Sequence, residues 1–279
     1  MEAYRNKVAL ITGGGSGIGA GLAEVLAAEQ ATVVVADIHL PSAEAVADKI
    51  KAAGGKAIAL HLDVTKPDAW KACVAHVEKD VGPIDVLCSN AGVVGALKPI
   101  LELPADYMRW VMDVNLMGAF HGVQAVVPQM KARGRGQVMF TASIGGLNVA
   151  KWLADYCASK HALIALADSL REELADTGVS VSVVCPAAVE TGLSETTRRQ
   201  LAPQFDQAVG HDSDAAQQAV AEAKRKVGGA MSALEAARLS IEGMRRRQFF
   251  VFTHLAASDR ATARFAEIKQ SLEALQALS

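Results

Sequence analysis

Short runs of apolar and β-branched residues alternate with longer segments of helical periodicity through the first 185 residues of the chain. Such alternation is typical of parallel strands joined by crossover helices. The predicted strands cover residues 7–11, 32–36, 57–61, 84–88, 137–141, 179–184 and 249–252. They are nearly continuous apolar runs, as expected of strands buried on both faces of a parallel sheet. The sequence therefore predicts an α/β fold with a doubly wound, seven-stranded parallel sheet flanked by helices.

Helices are predicted between these strands. Their expected ranges are 18–29, 42–53, from Pro67 onward, 104–131 and 155–176. One domain is predicted for the whole chain, residues 1–279, because this length lies within the range of a single α/β unit. The pattern weakens into a polar stretch at 191–229, which predicts a substrate lid. Residues 258–279 predict a C-terminal helical extension, either a partner-binding arm or a plain surface helix.

The charge balance excludes several classes of partner. The 28 basic and 30 acidic residues give a formal net charge of -2, so no broad positive field is available to hold nucleic acid or an anionic membrane. The N-terminal apolar run is too short for a signal peptide, and no window predicts a membrane span. The four cysteines lack metal-ligand spacing. We therefore expect a cytoplasmic protein with reduced thiols and no metal.

A glycine-rich loop, residues 12–19, connects the first predicted strand to the first predicted helix. Gly13, Gly17 and Gly19 allow a sharp turn, a close approach to a pyrophosphate and tight packing of the helix on the strand. A glycine-rich run alone is weak evidence, but its position between a strand and a helix predicts a nucleotide site. Ser16 and Ile18 are expected among the cofactor contacts.

Asp37 ends the second predicted strand, where the fold brings a side chain beside the adenosine ribose. A carboxylate there accepts hydrogen bonds from both ribose hydroxyls and repels a 2'-phosphate, and neither Ile38 nor His39 is basic. NAD is therefore favoured over NADP. The alternative is that Asp37 only caps a helix or a turn.

Two further groups follow predicted strands at the same edge of the sheet. Asp63 and Val64 are placed to meet the adenine, and Asn90, Ala91 and Gly92 bring a turn of small residues toward the cofactor. Each group on its own is also compatible with an ordinary turn.

Tyr156 and Lys160 are four residues apart near the start of a predicted helix, so their side chains project from one face. A free tyrosine is too weakly acidic to serve as a base at neutral pH, and a nearby ammonium lowers its pKa. Ser143, after the fifth strand, can hold a substrate oxygen near the phenol. Asn115 lies in the preceding helical region, where its amide can hold a water that links Lys160 to solvent.

Together, the loop at 12–19, Asn90-Ala91-Gly92, Asn115, Ser143 and Tyr156-x-x-x-Lys160 resemble a classical short-chain dehydrogenase/reductase. The resemblance covers about residues 5–252. It implies a seven-stranded Rossmann domain, a catalytic tetrad of Asn115, Ser143, Tyr156 and Lys160, and a homotetramer or homodimer. It also implies that Tyr156 and Lys160 lie at the cofactor, where Lys160 bonds the nicotinamide ribose.

The segment after the sixth strand departs from the family in one position. The resemblance implies cofactor contacts from Pro186, Val189 and Thr191, with Thr191 on the carboxamide. Family members usually have glycine after that proline, whereas this chain has Ala187. If the glycine normally adopts a conformation that other residues avoid, Ala187 implies a slightly different backbone near the nicotinamide.

Leu147 and Trp152 lie between Ser143 and Tyr156 and are expected, with those two residues, to wall the substrate site. An apolar wall with few charges favours an uncharged alcohol or ketone, aromatic or alicyclic. Trp152 is equally compatible with a core or subunit contact.

The sequence predicts an NAD-dependent oxidoreductase that interconverts a small secondary alcohol and a ketone, with Tyr156 as the general acid/base. A dinucleotide-sensing protein without turnover is the alternative. A methyltransferase is a third possibility, because a glycine-rich loop after a first strand also holds S-adenosylmethionine.

Overall fold

The computed structural model describes residues 3–200, 205, 218, 229–255 and 258–276. The described strands are β1 (Val8–Thr12), β2 (Thr32–Asp37), β3 (Lys56–His61), β4 (Ile84–Ser89), β5 (Gly136–Thr141), β6 (Val179–Cys185), β7 (Val189–Glu190), β8 (Met231–Ser232) and β9 (Phe250–Phe252). The described α-helices are α1 (Gly17–Ala28), α2 (Leu40–Ala52), α3 (Pro67–Asp80), α4 (Ala105–Met112), α5 (Gly118–Ala132), α6 (Ala154–Glu173), α7 (Leu193–Gln200), α8 (Ala233–Arg245) and α9 (Ser258–Gln276).

Seven strands form one sheet in the order β3-β2-β1-β4-β5-β6-β9. Every neighbouring pair in it is parallel. The predicted fold class is therefore confirmed, and the strand order reverses between β1 and β4. In open α/β sheets a ligand binds outside the carboxyl ends of the strands at such a reversal.

Successive residues of a strand point to opposite faces of the sheet. An apolar core covers each face. Leu10 belongs to one apolar core with Phe140 and Leu163, and Ile11 belongs to the other with Leu22 and Ile241. The first core contains residues of α3, α4, α5 and α6, and the second contains residues of α1, α2 and α8.

The helical region predicted at 104–131 is present without a break, but its middle is π-helical rather than α-helical. A π-helical turn, Asp113–Met117, separates α4 from α5. The wider turn holds the buried Asn115 side chain against the segment that follows β4. Sequence periodicity does not reveal such an insertion, because it changes the helix by less than one turn.

Helix α8 and the small parallel pair β7–β8 were not part of the sequence prediction. α8 packs closely on α1, since a Cβ added to Gly21 would lie 2.8 Å from the carbonyl oxygen of Ala233. It also packs on β9, where a Cβ on Gly243 would lie 2.4 Å from Cγ2 of Val251. Glycines at these crossings allow the close helix and strand contacts.

Two predicted regions are described only in part. α7 lies in the region predicted as a lid, 191–229, of which 201–204, 206–217 and 219–228 lie outside the described residues. α9 occupies most of the predicted extension at 258–279, and residues 277–279 lie outside the described set. Within the described part of the chain, no helix is both long and apolar enough to cross a membrane.

Candidate active site

A cavity of about 440 Å³ lies at the carboxyl ends of the central strands. Most of the predicted site residues line it. From the predicted cofactor, catalytic and substrate sets these are Gly13, Ser16, Gly17, Ile18, Asp37, Asp63, Val64, Asn90, Ala91, Gly92, Ser143, Tyr156, Lys160, Pro186, Val189 and Thr191. Four predicted residues, Gly19, Asn115, Leu147 and Trp152, are not part of this lining.

The glycine-rich loop turns tightly at the mouth of this cavity. Gly13 has a φ of +60° and Gly17 a φ of +53°, in the left-handed region that favours glycine. A Cβ on Gly17 would also lie 2.9 Å from Cβ of Thr191. Gly19 contributes by packing rather than by lining the cavity, because its Cβ would lie 2.1 Å from the carbonyl oxygen of Gly13. α1 begins at Gly17, so its N-terminal amides face the cavity.

Asp37, at the end of β2, both supports the glycine-rich loop and faces the cavity. Its Oδ2 accepts a hydrogen bond from the Gly15 amide at 2.9 Å, and its Oδ1 accepts one from the His39 amide at 2.9 Å. Asp37 therefore does cap a turn, as the alternative interpretation expects. Each carboxylate oxygen keeps a second lone pair for a ligand in the cavity.

Asn90 connects the ends of three neighbouring strands. Its side-chain Nδ2 donates to the carbonyl oxygens of Thr12 and Gly13, at 3.0 and 3.2 Å, and its Oδ1 accepts from the Thr141 hydroxyl at 3.0 Å. Asp63 makes a local turn instead, accepting from the amide and hydroxyl of Thr65. Both residues line the cavity while shaping the loops around it.

Tyr156 and Lys160 lie in the first turns of α6 and meet Ser143, which follows β5. Ser143 hydrogen-bonds with the Tyr156 phenol, and its Oγ accepts from the Gly145 amide at 3.0 Å. The buried Lys160 donates to the carbonyl oxygen of Thr141 at 2.9 Å, and its Nζ lies 5.7 Å from the centroid of the Tyr156 ring. The fold thus brings together three members of the predicted tetrad, Ser143, Tyr156 and Lys160, at one cavity.

Burial has the largest effect on the pKa values of Tyr156 and Lys160. Burial raises the pKa of Tyr156 above its ordinary value, and the hydrogen bond from Ser143 opposes this only in part. Burial also lowers the pKa of Lys160 to about 8. Burial is the largest influence on the Tyr156 pKa, and the predicted lowering by the Lys160 ammonium stays a prediction.

Asn115 lies beneath the cavity and is 1% exposed. Its Oδ1 accepts from the Val93 amide at 2.8 Å, and its Nδ2 donates to the Val93 carbonyl oxygen and to the Ser159 hydroxyl, both at 3.0 Å. The amide therefore joins the loop after β4 to α6. With both of its N–H groups donated to protein acceptors, it positions α6, and its predicted place in a catalytic tetrad stays a prediction.

Asp155 is a buried carboxylate that the sequence analysis missed. It is 1% exposed, its Oδ2 accepts from the Ala96 amide at 2.9 Å, and its Oδ1 accepts from the Tyr156 amide at 2.7 Å. Burial raises its pKa, whereas these backbone hydrogen bonds lower it. The only signal in the sequence is its position directly before Tyr156.

Leu147 and Trp152 lie away from the cavity lining. Leu147 packs against the first apolar core, and Trp152 has a φ of 68° with the Lys151 ammonium 4.8 Å from its ring centroid. Their role in a substrate wall stays a prediction. Ala187 lines the cavity and has no positive φ, so alanine carries no backbone strain there.

Fold and site together define a nucleotide-binding α/β protein with a Tyr-Lys-Ser centre at its switch point. Residues 7–202 match the family described as short chain dehydrogenase. The chain belongs to this family of oxidoreductases.

Two sequence relatives and one solved structure illustrate the similarity. The chain is 39% identical to a cyclohexanol dehydrogenase of Acinetobacter sp. (strain SE19) over 190 residues, 68% of this chain and 76% of the relative. It is 34% identical to a 1-deoxy-11-beta-hydroxypentalenate dehydrogenase of Streptomyces avermitilis over 266 residues, 95% of this chain and 90% of the relative. A short-chain dehydrogenase/reductase from Burkholderia phymatum, solved in complex with NAD, has a TM-score of 0.87 and 30% identity, covering 97% of each chain.

Proposed function

We propose that the protein is an NAD-dependent dehydrogenase that interconverts an uncharged secondary alcohol and a ketone, with Tyr156 as general acid/base. The observation that carries this proposal is that Tyr156, Lys160 and Ser143 line the same cavity as the glycine-rich loop and Asp37. One cleft then serves both the nucleotide and the reacting alcohol.

The residues present fit a dinucleotide. The glycines leave backbone exposed where side chains would collide, α1 directs its amides at the pyrophosphate position, and Asp37 has free lone pairs for the ribose hydroxyls. When bound, the nicotinamide supplies the hydride acceptor or donor. The carboxylate of Asp37 favours NAD over NADP, because a 2'-phosphate would be repelled.

The chain's own groups manage the oxygen and its proton. The Ser143 hydroxyl holds the substrate oxygen beside the phenol, and Tyr156 takes the hydroxyl proton in oxidation or returns it in reduction. Since burial raises the pKa of Tyr156, the phenolate needs added positive charge. Lys160, with an additional positive charge from an oxidised nicotinamide, supplies it.

The substrate class rests on the apolar residues near this centre and on the relatives. Val93, Ala142 and Leu193 share the cavity with Tyr156. One relative is named a cyclohexanol dehydrogenase and another a 1-deoxy-11-beta-hydroxypentalenate dehydrogenase, and the proposal follows the first of these names. A small alicyclic secondary alcohol is therefore the proposed substrate, and neither nucleic acid nor a membrane is proposed as a partner.

A homodimer or homotetramer in the cytoplasm is the proposed state. β9 is an edge strand of the sheet, and its Phe250 and Phe252 side chains are exposed. Light scattering after size-exclusion chromatography tests this assembly, and a monomer at micromolar concentration would contradict it.

The activity is tested by following NADH absorbance with cyclohexanol and cyclohexanone homologues. Tyr156→Phe is expected to abolish turnover while NAD binding by calorimetry persists. Tyr4→Phe is the matched control, because the buried Tyr4 hydroxyl has no hydrogen-bond partner among the described residues. Retained turnover in Tyr156→Phe would contradict the assigned role, and wild-type binding of NAD without turnover of any alcohol or ketone would favour a dinucleotide sensor.

A further inference from the structure

Helix α7 presents one face to the cavity and the other to the protein interior. Leu193, Thr196 and Gln200, at helical spacing, line the cavity together with Arg199. Thr197 points inward, is 0% exposed, and its Oγ1 accepts a hydrogen bond from the Val94 amide at 3.1 Å. This hydrogen bond fixes which face of α7 meets the cleft.

α7 runs along the cleft from one end to the other. Leu193 follows Thr191, which contacts Gly17 at the start of α1. Gln200 also lines a second cavity with Ile38 and Asp63, which follow β2 and β3. At about 1.5 Å per residue, the helix spans about 10 Å of the opening.

Positive charge is scarce in this cleft. Among its described lining residues there is one lysine, Lys160, and one arginine, Arg199, and two residues are acidic, Asp37 and Asp63. The glycine-rich loop at 12–19 has no basic residue. Lys160 is buried and donates to Thr141, so a pyrophosphate would meet backbone amides without a cationic side chain unless Arg199 takes part.

Arg199 is free to exchange its partner at little cost. It pairs with Glu195 on the same helix, and the two side chains are 62% and 68% exposed. Ion pairs exposed to this extent contribute little stability. A guanidinium is also the side chain best suited to donate two parallel hydrogen bonds to phosphate oxygens.

We infer that Arg199 is a cofactor-binding residue that donates hydrogen bonds to the pyrophosphate, held over the cleft by the Thr197–Val94 hydrogen bond. The inference rests on the proposed dinucleotide function and deepens it. It also reassigns the described part of the predicted substrate lid to the cofactor.

Calorimetric titration of Arg199→Gln with NAD, ADP and adenosine tests the inference. We expect the Kd for NAD and ADP to rise about tenfold and the Kd for adenosine to stay unchanged. The difference in NAD and ADP affinity between the wild type and the variant should shrink as the salt concentration rises. Arg198→Gln is the matched control, since it removes the same charge from a neighbouring position outside the lining. Thr197→Val should weaken NAD binding, and Thr197→Ser should restore it.

Three results would overturn the inference. The first is an Arg199→Gln variant that binds NAD as tightly as Arg198→Gln does, which leaves the proposed dehydrogenase function intact. The second is an equal loss for adenosine, which would place Arg199 on the nucleoside. The third is a wild-type protein that binds none of NAD, NADP and ADP, which would refute the proposed function as well.

Discussion

The Lys160 ammonium lies 2.9 Å from the carbonyl oxygen of Thr141, the last residue of β5. The strand that ends beside Ser143 therefore also holds the cation of the site. Lys160 is 4% exposed, and its only described hydrogen bond is to this neutral carbonyl. Burying an ammonium beside a neutral partner costs folding free energy. In the proposed function, this cost is offset by the positive charge that Lys160 supplies to the site.

Lys160→Met is therefore expected to stabilise the fold while it destroys activity. Burial lowers the pKa of Lys160 from 10.5 to about 8, so the unfolded chain binds more protons between these two values. The stability of the wild type, relative to the variant, should rise across this window and be lowest below pH 8. The shift corresponds to about 3 kcal/mol.

Urea denaturation of both proteins from pH 7 to 10.5 measures this difference. Lys71→Met, at an exposed lysine paired with Asp68, is the control for replacing a lysine by methionine. A Lys160→Met protein that is less stable than the wild type at pH 7 would show that its hydrogen bond outweighs burial.

Gly19→Ala should abolish nucleotide binding. The added Cβ would lie 2.1 Å from the Gly13 carbonyl oxygen and 2.6 Å from Nδ2 of Asn90, so the loop must move. Gly54→Ala is the control, with a positive φ but nothing within 4 Å of its Cβ, and it should cost about 1 kcal/mol without affecting NAD affinity. Calorimetry with NAD and thermal unfolding compare the two, and a Gly19→Ala variant that binds NAD normally would contradict the geometry.

The strands, the glycine-rich loop and the Tyr156–Lys160 pair were predictable because each leaves a local pattern in the sequence. Runs of apolar residues mark buried strands, and a four-residue spacing marks one helix face. Asp155, Thr197 and Arg199 leave no such pattern. Asp155 bonds to the Ala96 amide and Thr197 to the Val94 amide, which are far away in the sequence, and Arg199 meets the cavity only in the folded chain. The raising of the tyrosine pKa by burial could not be predicted for a related reason, because burial is a property of the whole fold.

Asp155→Asn should reduce both stability and kcat/KM. The carboxylate accepts from two backbone amides, Ala96 and Tyr156, whereas the amide oxygen of asparagine can replace one oxygen only. Leaving one buried N–H without an acceptor costs about 1–3 kcal/mol. The loop at 93–97 and Tyr156 then lose their shared anchor.

Urea denaturation and steady-state kinetics report the two effects of Asp155→Asn. Asp168→Asn, at a partly exposed aspartate on the far part of α6, is the matched control and should leave kcat/KM unchanged. An Asp155→Asn protein with wild-type stability and kinetics would show that the loop does not depend on this carboxylate.

Asp37→Ser should narrow the preference for NAD over NADP. The substitution removes the carboxylate that repels a 2'-phosphate, and a serine hydroxyl can still accept one hydrogen bond from the ribose or from the Gly15 amide. The Kd for NAD should rise about tenfold, while that for NADP should fall or stay the same.

Asp63→Ser is the comparison, because that carboxylate also lines the cavity but bonds within its own turn to Thr65. Titration of both variants with both nucleotides separates a charge effect specific to Asp37 from general loss of acidic charge. An Asp37→Ser protein that keeps the wild-type ratio of the two Kd values would show that the choice of nucleotide is made elsewhere in the cleft.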